Sequence, residues 1–302
     1  MLRLTAALCS MLALASAAHA AAGAPELVNL AYTPCAGMIC IPVTLADGKS
    51  HVLLLDTGNV NSWLLADTAR DIGLKPEPIE QDGKALPGLY RLGEQKVSLQ
   101  GQELTGRFLA LSRQQTGELP PEVEGALAYP LFKDRILQID YAHLVMRVLA
   151  SGTATAAPAG SELKFITFGK QGPPVVVAGG FRVNGKAVNA QIDTCYTGTL
   201  VVYTTAIDRL GLGKAAGEGR SRPKFFPYTD GGVNMNEATT ESVAFGSQLL
   251  APRPVLVYFP AESGNPVHEP DGLFEATVGN ALFVHSVVTL DFHSMRISVQ
   301  SG

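Results

Sequence analysis

The sequence predicts an all-β fold of two similar barrel-like lobes related by a pseudo-twofold axis. Three observations predict it. One pattern of turns, strands and aspartates is written twice, the segments within each copy have the length and period of strands, and helix-forming stretches are few.

Residues 1–20 read as a secretory signal peptide. Arg3 precedes an apolar stretch from Leu4 to Ala15 that is too short to span a bilayer, and Ala18-His19-Ala20 is a small-x-small cleavage site. No later apolar stretch reaches about 18 residues, so no membrane span is expected after signal cleavage. A formal net charge of −4 and the absence of any basic run exclude nucleic acid as an expected partner. The mature chain keeps Cys35, Cys40 and Cys195. In an oxidising compartment Cys35 and Cys40 can close a small loop, leaving Cys195 unpaired. Three free thiols are the alternative, and the sequence leaves both open.

The duplication is read residue by residue. Asp47-Gly48-Lys49 and Asn184-Gly185-Lys186 are turn signals, and eight residues after each glycine stands an aspartate, Asp56 and Asp193. Each is followed by threonine, Thr57 and Thr194. Asp71-Ile72-Gly73-Leu74 is echoed by Arg209-Leu210-Gly211-Leu212, and Val97-Ser98-Leu99 by Val243-Ala244-Phe245. Leu131-Phe132 leads to Asp140-Tyr141 as Leu282-Phe283 leads to Asp291-Phe292. The expected organisation is a first lobe over 26–150, a linker over 151–161 rich in Gly, Ala, Thr and Pro, and a second lobe over 162–302.

Strand periods fill each copy. Val188 to Ile192 alternates apolar and polar, whereas Val52 to Leu55 is continuously apolar, the mark of a strand covered on both faces. Val145 to Val148 and Met295 to Val299 read as the strands that close each lobe. One short helix per lobe is expected, at Ala66 to Ile72 and Thr204 to Leu210.

An aspartate directly after Leu53-Leu54-Leu55 is costly to bury unless it is paired, hydrogen-bonded or protonated. The same placement in both halves points to two carboxylates meeting on the pseudo-twofold axis. Such a pair shares a proton and so supplies a general base and a general acid without metal or cofactor. Asp56 and Asp193 are therefore the candidate catalytic residues.

Asp56-Thr57-Gly58-Asn59-Val60-Asn61-Ser62-Trp63-Leu64 resembles the active-site loop of pepsin-like aspartic proteases. Glu124 to Pro130 is similar to the later Gly-containing apolar segment of that superfamily, and Asp271-Gly272-Leu273-Phe274 is its second-lobe counterpart. The resemblance covers about 260 residues in two copies, to the pepsin and retropepsin superfamily in general. It implies the acid-protease fold, a cleft between the lobes for an extended peptide or protein substrate, and a hairpin flap over it. It implies that Asp56 and Asp193 are catalytic, that Thr57 and Thr194 bond across the axis, and that Gly58 permits close backbone approach. Asn59, Trp63, Tyr90 and Tyr196 are expected near the substrate cleft. The flap is expected within Gln81 to Gly93, with Gly83, Pro87 and Gly88 as tip residues, and its second-lobe image at Tyr228 to Met235.

Four residues depart from the pattern. Cys195 stands where the second loop usually has glycine, Asn59 and Tyr196 replace the small residue that follows, and Ala128 replaces a first-lobe glycine. These departures bear on activity rather than on fold. The implied function is that of an exported aspartic endopeptidase, periplasmic or secreted. The alternative is a degenerate relative that binds peptides or a partner without cleaving them.

Overall fold

The computed structural model describes residues 25–117, 119–151, 161–167, 174–217, 220–224, 233–258 and 273–302. The expected signal peptide, the linker between its end residues, the second-lobe turn Asp230-Gly231-Gly232 and the pair Asp271-Gly272 lie outside the described residues.

The first lobe contains β1 (Glu26–Ala31), β2 (Thr33–Cys35), β3 (Met38–Thr44), β4 (Ser50–Asp56), β5 (Ser62–Leu65), β6 (Glu77–Gln81), β7 (Lys84–Leu99), β8 (Gln102–Leu111), β9 (Gly125–Ala128), β10 (Arg135–Asp140) and β11 (Val145–Ala150). The second contains β12 (Ser161–Thr167), β13 (Pro174–Val183), β14 (Lys186–Ile192), β15 (Leu200–Val202), β16 (Arg220–Lys224), β17 (Val233–Thr239), β18 (Ser242–Phe245), β19 (Gln248–Pro252), β20 (Val255–Tyr258), β21 (Ala276–Val278), β22 (Ser286–Asp291) and β23 (Arg296–Ser301). A short helix follows β5 at Ala66–Asp71, and a 3-10 turn at Thr204–Ala206 runs into a helix at Ile207–Leu210, as the sequence indicates. A further short helix, Gly213–Gly217, was not expected.

The two lobes repeat one pairing scheme. β4 pairs parallel with β9, and β14 pairs parallel with β21. β5 lies antiparallel to β9 and parallel to β8, and β15 lies antiparallel to β21 and parallel to β20. The lobes join through a run of strands in the order β1-β11-β10-β22-β23-β12. At its centre β10 and β22 are antiparallel, with Gln138 opposite Thr289, 151 residues away. Ile136 faces Asp291 and Asp140 faces Val287, so the pairing maps onto itself when the lobes are exchanged. The offset between equivalent residues is 137 at Thr57 and Thr194 and has grown to 151 by this sheet.

One apolar core runs through both lobes, from Val28 and Ile41 to Leu290 and Ile297. Leu53, Leu54 and Leu55 are all buried, which agrees with the continuous apolar run of β4 and contributes roughly 1.5–3 kcal/mol per side chain. In β14 burial alternates, with Val188, Ala190 and Ile192 inward. Both strands thus carry their terminal aspartates from a rigid core to the junction between the lobes.

Cys35 and Cys40 are disulfide-bonded, with Cα atoms 5.9 Å apart, and Cys195 is the free cysteine among the described residues. This settles the cysteine question that the sequence leaves open. The bond closes the β2–β3 hairpin, whose turn residues Ala36 and Gly37 both have positive φ.

The segment expected to hold the flap folds as a hairpin of β6 and β7, whose turn is Asp82-Gly83 alone. Both residues have positive φ, the geometry of a two-residue hairpin turn. Pro87 and Gly88 lie instead within a bulge of β7. Gly88 is needed there because a Cβ would collide with the Ser112 hydroxyl. Tyr90 is half-buried against the first-lobe core, with the Arg70 guanidinium 5.6 Å from its ring centroid.

Candidate active site

Asp56 is the last residue of β4 and is paired in register with Ala128. Asp193 follows β14 directly, and its N–H donates to the Val278 carbonyl at 3.0 Å. Each aspartate is therefore placed by the parallel strand beside it. A carboxylate oxygen of Asp56, one of Asp193 and the sulfur of Cys195 all lie within 4.8 Å of one another. This separation brings the two carboxyl groups within the span of one bridging water. The two oxygens and one sulfur form a mixed donor set for a cation, although the sequence carries no expectation of one.

The threonines lock the two loops together. Thr57 N–H donates to Thr194 Oγ1 at 3.0 Å, and Thr194 N–H donates to Thr57 Oγ1 at 3.2 Å. In turn Thr57 Oγ1 donates to the Ile192 carbonyl at 2.9 Å and Thr194 Oγ1 to the Leu55 carbonyl at 2.6 Å. Both threonines are buried. A hydroxyl that accepts one bond and donates another is the smallest group that can do this on each side of an axis.

The carboxylates receive bonds from their own loops. Gly58 N–H donates to Asp56 Oδ1 at 3.1 Å. Cys195 N–H and Tyr196 N–H donate to Asp193 Oδ1 at 2.8 and 3.2 Å. Gly58 is packed so closely that a Cβ would sit 2.5 Å from Asp193 Cγ. At the matching place the Cys195 side chain is accommodated, its sulfur 3.6 Å from the Leu55 carbonyl.

Burial is the main influence on the pair. Desolvation and then the Asp193 charge push the Asp56 carboxyl up to about 8, against weaker pulls from Gly58, Asn59 and Cys195. Desolvation also raises Asp193, and the Cys195 and Tyr196 amides draw it back. Burial and both carboxylates hold the Cys195 thiol well above its ordinary value.

The other candidates are distributed around this centre. Asn59 Oδ1 accepts from Val60 N–H at 2.8 Å and Asn61 N–H at 3.2 Å, which shapes the first loop. Trp63 is buried in a second apolar cluster with the Cys35–Cys40 bridge, Leu54 and Leu111, so its role is packing rather than a cleft surface. The Tyr196 ring lies over Gly198 and Gly279, where a Cβ on Gly279 would meet Cδ1 at 2.5 Å. Ala128 fits in place of glycine, with its N–H donating to Ser62 Oγ at 2.9 Å.

Three contributors escape sequence reading. Gln191 Nε2 donates to the Gly58 carbonyl across the lobes at 3.0 Å. Asn280 and Tyr141 form a buried polar pair behind the second loop, with Tyr141 Oη donating to Asn280 Oδ1 at 2.9 Å. The available signal was a lone amide in the apolar run from Ala276 to Phe283. A cavity of about 590 Å³ lies at the lobe junction, lined by Tyr129, Phe165, Pro174 and Phe292, and does not include either aspartate.

No protein-family model matches the chain, and no curated protein matches it. Solved structures do. Basic 7S globulin from soybean is 11% identical with a TM-score of 0.48, over 91% of this chain and 95% of that one. Conglutin gamma, a unique basic 7S globulin from lupine seeds, is 13% identical with a TM-score of 0.48, over 92% and 95%. Edgp is 11% identical with a TM-score of 0.52, over 91% and 94%. At that identity the likeness to edgp is one of fold. Repeated lobe, self-mapping central pairing and paired aspartate loops together make this the all-β, two-lobed acid-protease fold.

Proposed function

We propose that the chain is an aspartic endopeptidase that hydrolyses extended peptides with Asp56 and Asp193 as its shared-proton pair. The observation that supports this reading best is the approach of the two carboxylates on the lobe axis, braced by reciprocal threonine bonds. Asp193, held by two amides, is the base: it takes a proton from water as the water oxygen attacks the scissile carbonyl carbon. Asp56, whose carboxyl is raised to about 8, gives its proton to the carbonyl oxygen. As the tetrahedral species collapses the C–N bond breaks, Asp193 passes its proton to the leaving amine, and Asp56 takes a proton back from a hydroxyl of the diol. Digestion of a peptide library by wild type and Asp56→Asn across pH tests this. Cleavage retained by the variant, or none by wild type, would sink it.

A second reading is supported by two observations. The Cys195 sulfur occupies space beside both carboxylates, and the Tyr196 side chain fills the region above Gly198 and Gly279. A chain of this kind binds peptides or a partner without cleaving them. Peptide binding without cleavage at any pH selects it.

Export belongs to the same proposal. The Cys35–Cys40 bridge suits an oxidising compartment, in line with residues 1–20 as a signal. N-terminal sequencing of the exported protein is expected to begin at Ala21.

A further inference from the structure

Asn280 stands immediately after β21 and Gly279, in a 3-10 turn, and is buried with every polar side-chain atom bonded. Its Nδ2 donates to the Thr194 carbonyl at 2.7 Å and to the Gly37 carbonyl at 3.1 Å. Its Oδ1 accepts from Tyr141, and its backbone N–H donates to the Tyr196 carbonyl at 2.9 Å. One residue therefore holds the second aspartate loop at two carbonyls, on either side of Cys195. Between those two points lie the amides of Cys195 and Tyr196, the two donors to Asp193 Oδ1.

The pseudo-twofold axis supplies an internal control. The residue equivalent to Asn280, 151 earlier, is Tyr129, and the equivalent of Tyr141 is Phe292. Both sides reach across to the other lobe: Asn280 to Gly37, and Tyr129 Oη to the Pro174 carbonyl at 3.2 Å. Gly37 and Pro174 are themselves equivalent, 137 apart. The pairs differ in chemistry. Asn280 and Tyr141 are hydrogen-bonded, whereas Tyr129 and Phe292 are stacked rings with centroids 5.9 Å apart. Tyr129 has one hydroxyl proton, spent on Pro174, and offers no amide to the first loop. Cross-lobe tethering is thus common to both sides, and the grip on the aspartate loop belongs to Asn280.

We propose that Asn280 is a positioning residue for Asp193, fixing the Thr194–Tyr196 loop so that its two amides stay on the carboxylate and favour negative charge there. Among the described residues, the ionisable groups facing Asp193 are Asp56, Cys195, Tyr196 and Tyr141, and none of them is cationic. Backbone amides are consequently the main stabilisers of charge on Asp193, and their placement matters. The kinetic consequence rests on the peptidase reading, but the electrostatic one does not.

The test combines both. Protein carrying ¹³C-labelled aspartate side chains is titrated by NMR, with signals assigned from Asp56→Asn and Asp193→Asn. In Asn280→Ala the Asp193 titration is expected to move up by about one pH unit. On a cleaved peptide kcat is expected to fall on the order of ten- to a hundredfold with KM nearly unchanged. Tyr129→Phe, which loses only the cross-lobe bond, is expected to leave the Asp193 titration where it was. Tyr141→Phe, which removes only the partner of Oδ1, is expected to shift Asp193 in the same direction by less, and it decides the matter if Asn280→Ala does not fold. An unmoved Asp193 in Asn280→Ala or Tyr141→Phe, or an equal shift in Tyr129→Phe, overturns the proposal. Absence of cleavage by wild type removes the peptidase reading alone, because the titration still reads the position of the loop.

Discussion

Thr57 and Thr194 each donate a backbone N–H to the other's hydroxyl, and each hydroxyl then reaches the strand carrying the opposite aspartate. Neither loop can move without breaking bonds in the other lobe. The brace is therefore a property of the assembled pair of lobes and not of either alone.

Thr194→Val keeps the shape but leaves the buried Thr57 N–H unpaired and the Leu55 carbonyl with only the weak Cys195 S–H contact. At about 1–3 kcal/mol for an orphaned buried amide, a loss of about 1–3 kcal/mol is expected in urea unfolding. Thr194→Ser keeps the hydroxyl and is expected to cost less than about 1 kcal/mol. Equal losses in the two variants would show that the methyl, not the hydroxyl, carries the effect.

The buried carboxyl pair predicts a pH dependence of unusual sign for acids. The Asp56 carboxyl is raised to about 8, against about 3.9 in an unfolded chain. Between those values the folded state holds more protons than the unfolded one. Its contribution to stability is complete below about pH 4 and is lost as pH rises towards 8. Urea midpoints of wild type are expected to fall across that window, and those of Asp56→Asn to fall less. Identical slopes in the two proteins would contradict the raised value.

Gly58→Ala places a Cβ 2.5 Å from Asp193 Cγ. The backbone or the carboxylate must shift, at a cost of about 1–3 kcal/mol. Peptide cleavage is expected to drop by more than stability alone accounts for, since the displaced group is the proposed base. Wild-type kcat in the Gly58→Ala variant would mean that the loops are looser than these contacts indicate.

Cys195 is expected to be a poor nucleophile. Its thiol is raised by burial and by two acidic neighbours, so little thiolate exists near neutrality. Iodoacetamide labelling of native protein at about pH 7.5 is expected to be at least about tenfold slower than after unfolding. Cys195→Gly is expected to leave cleavage unchanged or to raise it. Rapid native labelling would return the thiol to consideration as a reactive group.

The repeated Asp-Thr pair after an apolar strand made the paired aspartates legible, because each lobe repeats that local sequence, whereas the threonine brace was implied only by the resemblance to pepsin-like proteases. The flap was legible as a segment but not in detail. Asp82-Gly83 carries the two-residue turn signature, yet Pro87-Gly88 has the same look, and only the contact with Ser112 distinguishes a bulge from a tip. Trp63 was read towards the cleft, but a ring is turned by its neighbours, here the disulfide cluster that buries it. Asn280 was silent because its partners, Gly37, Tyr141 and Thr194, lie 243, 139 and 86 residues away in the chain. Equivalence of Asn280 with Tyr129 hid it further, since the repeat itself marks positions where the halves agree.

The central sheet also constrains how the chain reaches its native state. β1 waits for β11 and β12 waits for β23, so each lobe is completed only when its last strand arrives. Such high contact order slows folding, although the entropy of closing a longer loop rises only logarithmically. β10 presents an open edge until β22 covers it. An uncovered edge is a template for aggregation. Substitutions in β22 that leave the mature protein intact are therefore expected to lower the yield of soluble protein by prolonging that exposure.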